Sequence, residues 1–163
     1  MLDLGAAPGS WTLYAAGRVG ARGSVVAIDL QEIRGVSAPN VTVLRGDVRA
    51  LQTAAAEEPA AMAVASGAPY DVVLSDMAPS TSGSKSSDQA RSFELFMVAL
   101  DIASRLGAKG SAFVGKIFMS GDFPAAKQAV TGRYETCRVI KPEGTRSRST
   151  EIFIVGIGLK APG

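Results

Sequence analysis

The feature that most narrows what this chain can become is its opening turn. Met1-Leu2-Asp3-Leu4 reads as a strand and runs straight into Gly5-Ala6-Ala7-Pro8-Gly9, after which a helix begins at about Ser10. Gly5 and Gly9 remove side chains where a backbone has to turn sharply and approach a ligand, and Pro8 stiffens the turn without needing an amide donor. A strand that breaks into small residues and restarts as a helix is the signature of a cofactor loop at the carboxyl end of a first parallel strand. The glycine spacing is not that of the dinucleotide fingerprint, and no Gly-Lys-Ser/Thr follows to make a phosphate-binding P-loop. A purely structural strand-to-helix turn is the competing reading.

The rest of the chain carries the same alternation. Runs rich in Val, Ile and Phe at 24–28, 41–44, 70–75, 111–117, 134–140 and 151–159 predict strands. Helices are predicted at 10–19, within the Ala-rich 51–65 with a break at Pro59, at 89–106 and at 123–131. Strands alternating with helices predict an α/β fold with a mostly parallel, doubly wound sheet. Only a short polar link, with Lys141, Arg146 and Arg148, joins the last two strands, which predicts an antiparallel pair at one edge. The serine-rich 80–87 is expected to be a mobile loop carrying Lys85. At 163 residues, with 47% hydrophobic and 20% charged, the chain is expected to form one domain over 1–163.

The chemistry is bounded by what is missing. One cysteine, Cys137, excludes a disulfide framework, and the absence of histidine removes the commonest metal ligand and general base, so no metal site is expected. Acid–base work falls to Asp, Glu, Lys or Tyr. A net charge of +2 does not announce nucleic acid, although a local basic patch can. No apolar run approaches the roughly 18–20 residues that cross a bilayer, and the first residues lack the basic flank of a signal peptide, so a cytoplasmic chain is expected.

Five charged residues stand at strand ends or inside a strand. Asp29 ends the second strand about 20 residues after the glycine loop, where an acid takes ribose hydroxyls in nucleoside-binding sheets; a strand-end cap is the alternative. Asp47, after Arg45-Gly46, either receives an exocyclic amine or caps the next turn. Asp76 closes the apolar run Asp71-Val72-Val73-Leu74-Ser75, where a carboxylate is better explained by a site than by packing. Lys116 lies inside Phe113-Val114-Gly115-Lys116-Ile117-Phe118, an expensive position unless the amine is paired or snorkels outward. Glu151 opens the last strand, which alone reads as a routine edge charge. Trp11 sits in the first turn after the loop, against a cofactor or in the core.

In order and spacing, Leu-Asp-Leu-Gly-Ala-Ala-Pro-Gly-Ser-Trp (2–11), Ser-Asp-Met-Ala-Pro (75–79), the Lys116 strand and Ser-Arg-Ser-Thr-Glu (147–151) resemble the FtsJ-like ribosomal RNA 2′-O-ribose methyltransferases over nearly the whole chain. The resemblance implies a Rossmann-like methyltransferase fold and S-adenosyl-L-methionine as cofactor. Carried over by position, it implies that Gly9, Trp11, Asp29, Asp47 and Asp76 bind the cofactor and that Asp76, Lys116 and Glu151 are catalytic. In the family a further catalytic lysine precedes the first strand, and this sequence has no counterpart for it. The implied activity is methylation of a uridine in large-subunit ribosomal RNA by a monomer. Transfer RNA as substrate, and a cofactor-binding fragment impaired in catalysis, are the alternatives. Without the G-x-G-x-x-G spacing a dehydrogenase is disfavoured, and Lys116 with Glu151 disfavours a methyltransferase of small molecules or proteins.

Overall fold

The computed structural model describes residues 1–52, 58–142 and 150–161. Among the described residues, seven strands form one sheet: β1 Leu2–Leu4, β2 Val25–Asp29, β3 Val41–Arg45, β4 Tyr70–Ser75, β5 Gly107–Phe118, β6 Tyr134–Ile140 and β7 Glu151–Leu159. The α-helices described with them are α1 Ser10–Val19, α2 Pro59–Ser66, α3 Lys85–Leu106 and α4 Phe123–Arg133. The order across the sheet is β3-β2-β1-β4-β5-β7-β6. Neighbours from β3 to β5 are parallel, whereas β7 runs antiparallel to both β5 and β6. The chain works outward from β1 to β3 and then restarts beside β1 at β4, which makes β1/β4 the point where the winding direction switches. Ligands of open α/β sheets collect at such a point, beyond the carboxyl ends of the strands.

The main core fills the layer between the sheet and α3. Buried positions on α3 recur as Ser92, Phe96, Ala99, Leu100 and Ala103, the spacing that gathers side chains on one helical face. Phe96 meets Phe113 edge-on with ring centroids 5.6 Å apart, and Phe113 stacks on Tyr134 at 6.3 Å. Leu2, Leu4, Ile28, Val73 and Ile154 complete the sheet side of this core. Ser92, fully inside, accepts the Phe118 N–H at 2.9 Å and so ties the end of β5 to α3.

Several expectations need correcting. Residues 85–87 are not loop: α3 starts at Lys85, because Asp88 in its first turn accepts both the N–H and the hydroxyl of Ser82, at 2.9 and 2.8 Å, and Arg91 closes on the same carboxylate at 2.6 Å. These contacts hold the carboxyl of Asp88 below the usual carboxylate range. The Ala-rich segment divides into a 3-10 turn, Val48–Gln52, and α2 with Pro59 in its first turn, where the missing amide costs nothing. The expected antiparallel pair at an edge is present, with β6 outermost and β7 between it and β5. Arg146 and Arg148 lie outside the described residues, and Lys141 is exposed just beyond β6.

Candidate active site

The site begins with the glycine loop. Gly5 has a φ of 72°, and a Cβ there would run into Met77, so the two segments following β1 and β4 can approach only without a side chain. Gly9 has a φ of 121°, and a Cβ on it would lie 2.5 Å from Val36. The loop is held from the neighbouring strand: Gly5 N–H donates to the Ile28 carbonyl at 2.9 Å, and Ala7 N–H donates to Asp29 Oδ2 at 3.0 Å. The other Asp29 oxygen accepts the Gln31 N–H at 2.7 Å. Asp29 is therefore both the strand-end cap and a carboxylate fixed at the rim of the loop. Asp47 behaves alike: Oδ1 accepts the Arg49 N–H at 2.9 Å, and Oδ2 lies 3.9 Å from the Arg49 guanidinium.

A cleft of about 370 Å³ opens at the switch point and is lined by Gly5, Asp29, Asp47, Asp76 and Lys116 among others. A second, of about 250 Å³, adjoins it between the glycine loop, Ser10 and Trp11, with Gly5, Ala7 and Asp76 lining both. Of the sequence-predicted residues, Asp29, Asp47, Asp76 and Lys116 converge on the first cleft and Trp11 lines the second; Gly9 lines neither. Trp11 packs its indole on Phe153 of β7 with centroids 5.3 Å apart.

Lys116 is 9% exposed, and its amine is not a surface group that snorkels outward: Nζ lies 3.0 Å from Asp76 Oδ1 and 3.7 Å from Glu151 Oε1. Each partner arrives by a different route. Asp76 follows β4, which pairs parallel with β5. Glu151 comes from the first residue of antiparallel β7, where Lys116 faces Phe153 and Phe118 faces Glu151. The lysine and the glutamate are thus diagonal neighbours across one ladder, a separation long side chains bridge. Because β7 is reversed, its amino end lies at the same sheet edge as the carboxyl ends of the parallel strands.

Asp3 was passed over in the sequence. It is fully buried in β1, its Oδ2 accepts the Thr12 hydroxyl at 2.6 Å, and its Oδ1 finds no hydrogen-bond partner among the described residues. Burial, reinforced by the charges of Asp76 and Asp29 and opposed by the Thr12 hydrogen bond, pushes its carboxyl up to about 6. The signal was a carboxylate inside an apolar strand, the same one that singles out Lys116.

Known proteins resemble this chain in fold and in sequence. A Plasmodium falciparum chain described as a ribosomal RNA methyltransferase superposes with a TM-score of 0.81 at 20% identity, covering 99% of this chain and 86% of that one. Human Methyltransferase-like protein 13 in complex with SAH superposes at 0.64 with 13% identity, over 99% of this chain and 71% of that one. These likenesses carry the fold. In sequence, the Sorangium cellulosum protein named Ribosomal RNA large subunit methyltransferase E is 55% identical over all 163 residues, which span 73% of its length. A protein of the same name from Nitratidesulfovibrio vulgaris is 45% identical over 163 residues, 79% of its length. The FtsJ-like methyltransferase model matches residues 1–159, and this chain belongs to that family.

Proposed function

We propose that this protein transfers a methyl group from S-adenosyl-L-methionine to the 2′-hydroxyl of a ribose in large-subunit ribosomal RNA, at a uridine. The observation that carries the reading is the buried Lys116 amine, held between Asp76 and Glu151 at the wall of a cleft whose far end carries Asp29 and Asp47. The donor set fits the cofactor. Strand-end carboxylates suit the ribose hydroxyls at Asp29 and the adenine amine at Asp47, and the side-chain-free Gly5 leaves room for close approach. When bound, S-adenosyl-L-methionine supplies an electrophilic methyl on a sulfonium.

The protein's own part is positioning and proton transfer. Lys116 Nζ faces the acceptor and receives the proton of the attacking hydroxyl on the lone pair of its unprotonated amine, a role that no histidine is present to fill. Asp76 and Glu151 fix the direction of the amine, and Asp76 also lines the cleft that takes the cofactor. Holding nucleophile and methyl in line removes the entropic part of the barrier. The relatives named for ribosomal RNA methylation support the substrate class. Incubation with unmodified ribosomal subunits and isotopically labelled S-adenosyl-L-methionine, followed by mass spectrometry of nucleosides, is expected to show label in 2′-O-methyluridine. Label appearing only with transfer RNA, or on a base, would overturn the assignment.

A further inference from the structure

We propose that a cleft beyond Lys116 receives the base of the nucleotide being methylated, with Phe118 stacking on a flipped-out uracil and Gln89 and Lys85 reading its edge. The inference rests on the methyl-transfer reading given above and adds the groups that select the base.

The cleft has a volume of about 330 Å³ and is lined by Thr81, Lys85, Gln89, Phe118 and Thr150 among others. That size lies at the lower end of the range for small-ligand clefts. It continues the first cleft along two segments of chain. On β5, Lys116 lines the first and Phe118 this one; after β4, Ser80 lines the first and Thr81 this one. Alternate residues of a strand share a face, so Phe118 follows Lys116 on the same side of the sheet at a step of about 6.5 Å. Phe118 also pairs directly with Glu151 across the ladder, and the Glu151 carboxylate lies 3.7 Å from the Lys116 amine. A ribose whose 2′-oxygen sits at that amine, with the methyl donor in the first cleft, therefore has its base within reach of the half-buried Phe118 ring. A base enters such a cleft only out of the RNA stack, and an aromatic side chain replaces the stacking it gives up.

The polar groups left over in this cleft form a pattern. Asp88 is committed to Ser82 and Arg91, and the Thr150 carbonyl to the Met119 N–H. Gln89 donates through Nε2 to the Met119 carbonyl at 2.6 Å. A carbonyl can only accept, so this bond fixes which way the amide lies and leaves Oε1 as an acceptor. Lys85, exposed and one turn earlier on α3, contributes an ammonium that can only donate. An acceptor beside a donor matches the N3–H and O4 of uracil. Cytosine offers a bare N3 and an N4 amine at the same places, so acceptor would meet acceptor and donor would meet donor.

Methyl transfer to unmodified large ribosomal subunits, with cofactor affinity measured alongside by calorimetry, tests both roles. Phe118→Leu keeps apolar bulk at the end of β5 and removes the ring; kcat/KM for the subunits is expected to fall about tenfold with cofactor affinity unchanged. Phe118→Tyr keeps the ring and is expected to stay close to wild type. Gln89→Ala is expected to narrow the preference for subunits carrying the natural uridine over subunits carrying cytidine in its place. Wild-type turnover by Phe118→Leu overturns the stacking role, as does an equal loss in Phe118→Tyr or a matching loss of cofactor affinity. A uridine preference that Gln89→Ala leaves unmoved overturns the edge reading, and this arm stands if Phe118→Leu does not fold. If the wild type transfers no label, the methyl-transfer reading fails and this inference with it, a result distinct from an active wild type whose variants do not differ from it.

Discussion

Lys116 concentrates most of what single residues decide. Its amine is buried between two carboxylates that are each more than a third exposed, so charge rather than packing is the reason for its position. Lys116→Ala is expected to abolish methyl transfer while leaving cofactor affinity within a few-fold, measured by calorimetry beside a radiolabel assay. Lys116→Arg is expected to be nearly as damaging, because guanidinium does not give up a proton near neutral pH. Wild-type turnover by Lys116→Arg would exclude a general-base role. Asp29 presents a different case, since both its oxygens already accept backbone amides. Asp29→Ala is expected to lose the ribose contacts and the Ala7 anchor together, weakening cofactor binding by roughly 1.5–3 kcal/mol if those contacts are charge-assisted. Unchanged affinity in a titration of Asp29→Ala would leave it as a strand-end cap only.

At the scale of elements, β5 supports the site. It carries Lys116 on one face and Phe113 in the core on the other, and Ser92 of α3 clamps its end through Phe118. Gly115 sits between these roles: a Cβ on it would lie 2.6 Å from the Phe113 ring and 2.8 Å from Phe96. No φ in the left-handed region is involved at Gly115, so the requirement is space and not backbone freedom. Gly115→Ala is expected to force the two rings apart and cost about 1–3 kcal/mol of stability, read as a lower midpoint in urea. A midpoint equal to wild type would mean that the α3 layer gives way more easily than its packing indicates. The loop before α3 is set by Asp88 in the same local manner, which explains why a serine-rich segment that looked mobile in sequence instead opens a helix at Lys85.

Across the whole molecule, the sheet order brings the end of β6 and the start of β7 to the edge where the site lies. Ile140, the last residue of β6, pairs with Phe153, which pairs in turn with Lys116. On the far side of the link, the Thr150 carbonyl accepts the Met119 N–H at 2.7 Å, and the Met119 carbonyl accepts the Gln89 side chain at 2.6 Å. Ile140 and Thr150 thus stand at the same end of the sheet as Lys116. Exchanging Lys141, Arg146 and Arg148 together for glutamine is expected to weaken ribosomal RNA binding and to reduce the slope of log K against log salt, with cofactor affinity unchanged. An unchanged slope would mean that these are solvated charges. No helix among the described residues is long and apolar enough to cross a membrane.

Local signals made much of this legible from the chain alone. Apolar runs bounded by turn residues gave β4, β6 and β7 with the observed limits, and α1 begins and ends where its loop and Gly20 dictate. Acids at strand ends were legible for the same reason: in a parallel sheet every strand delivers its last residue to one edge, so Asp29, Asp47 and Asp76 could be assigned to that edge without knowing the strand order. Which strand neighbours which is another matter, because a β edge offers the same hydrogen-bonding groups to any partner and the choice depends on packing between segments remote in sequence. Only the tertiary structure put β7 between β5 and β6, and with it Glu151 beside Lys116. Only it buried Asp3 next to Asp76 and Asp29, since how far a carboxylate in a three-residue strand is sealed from water depends on the helix folded over it.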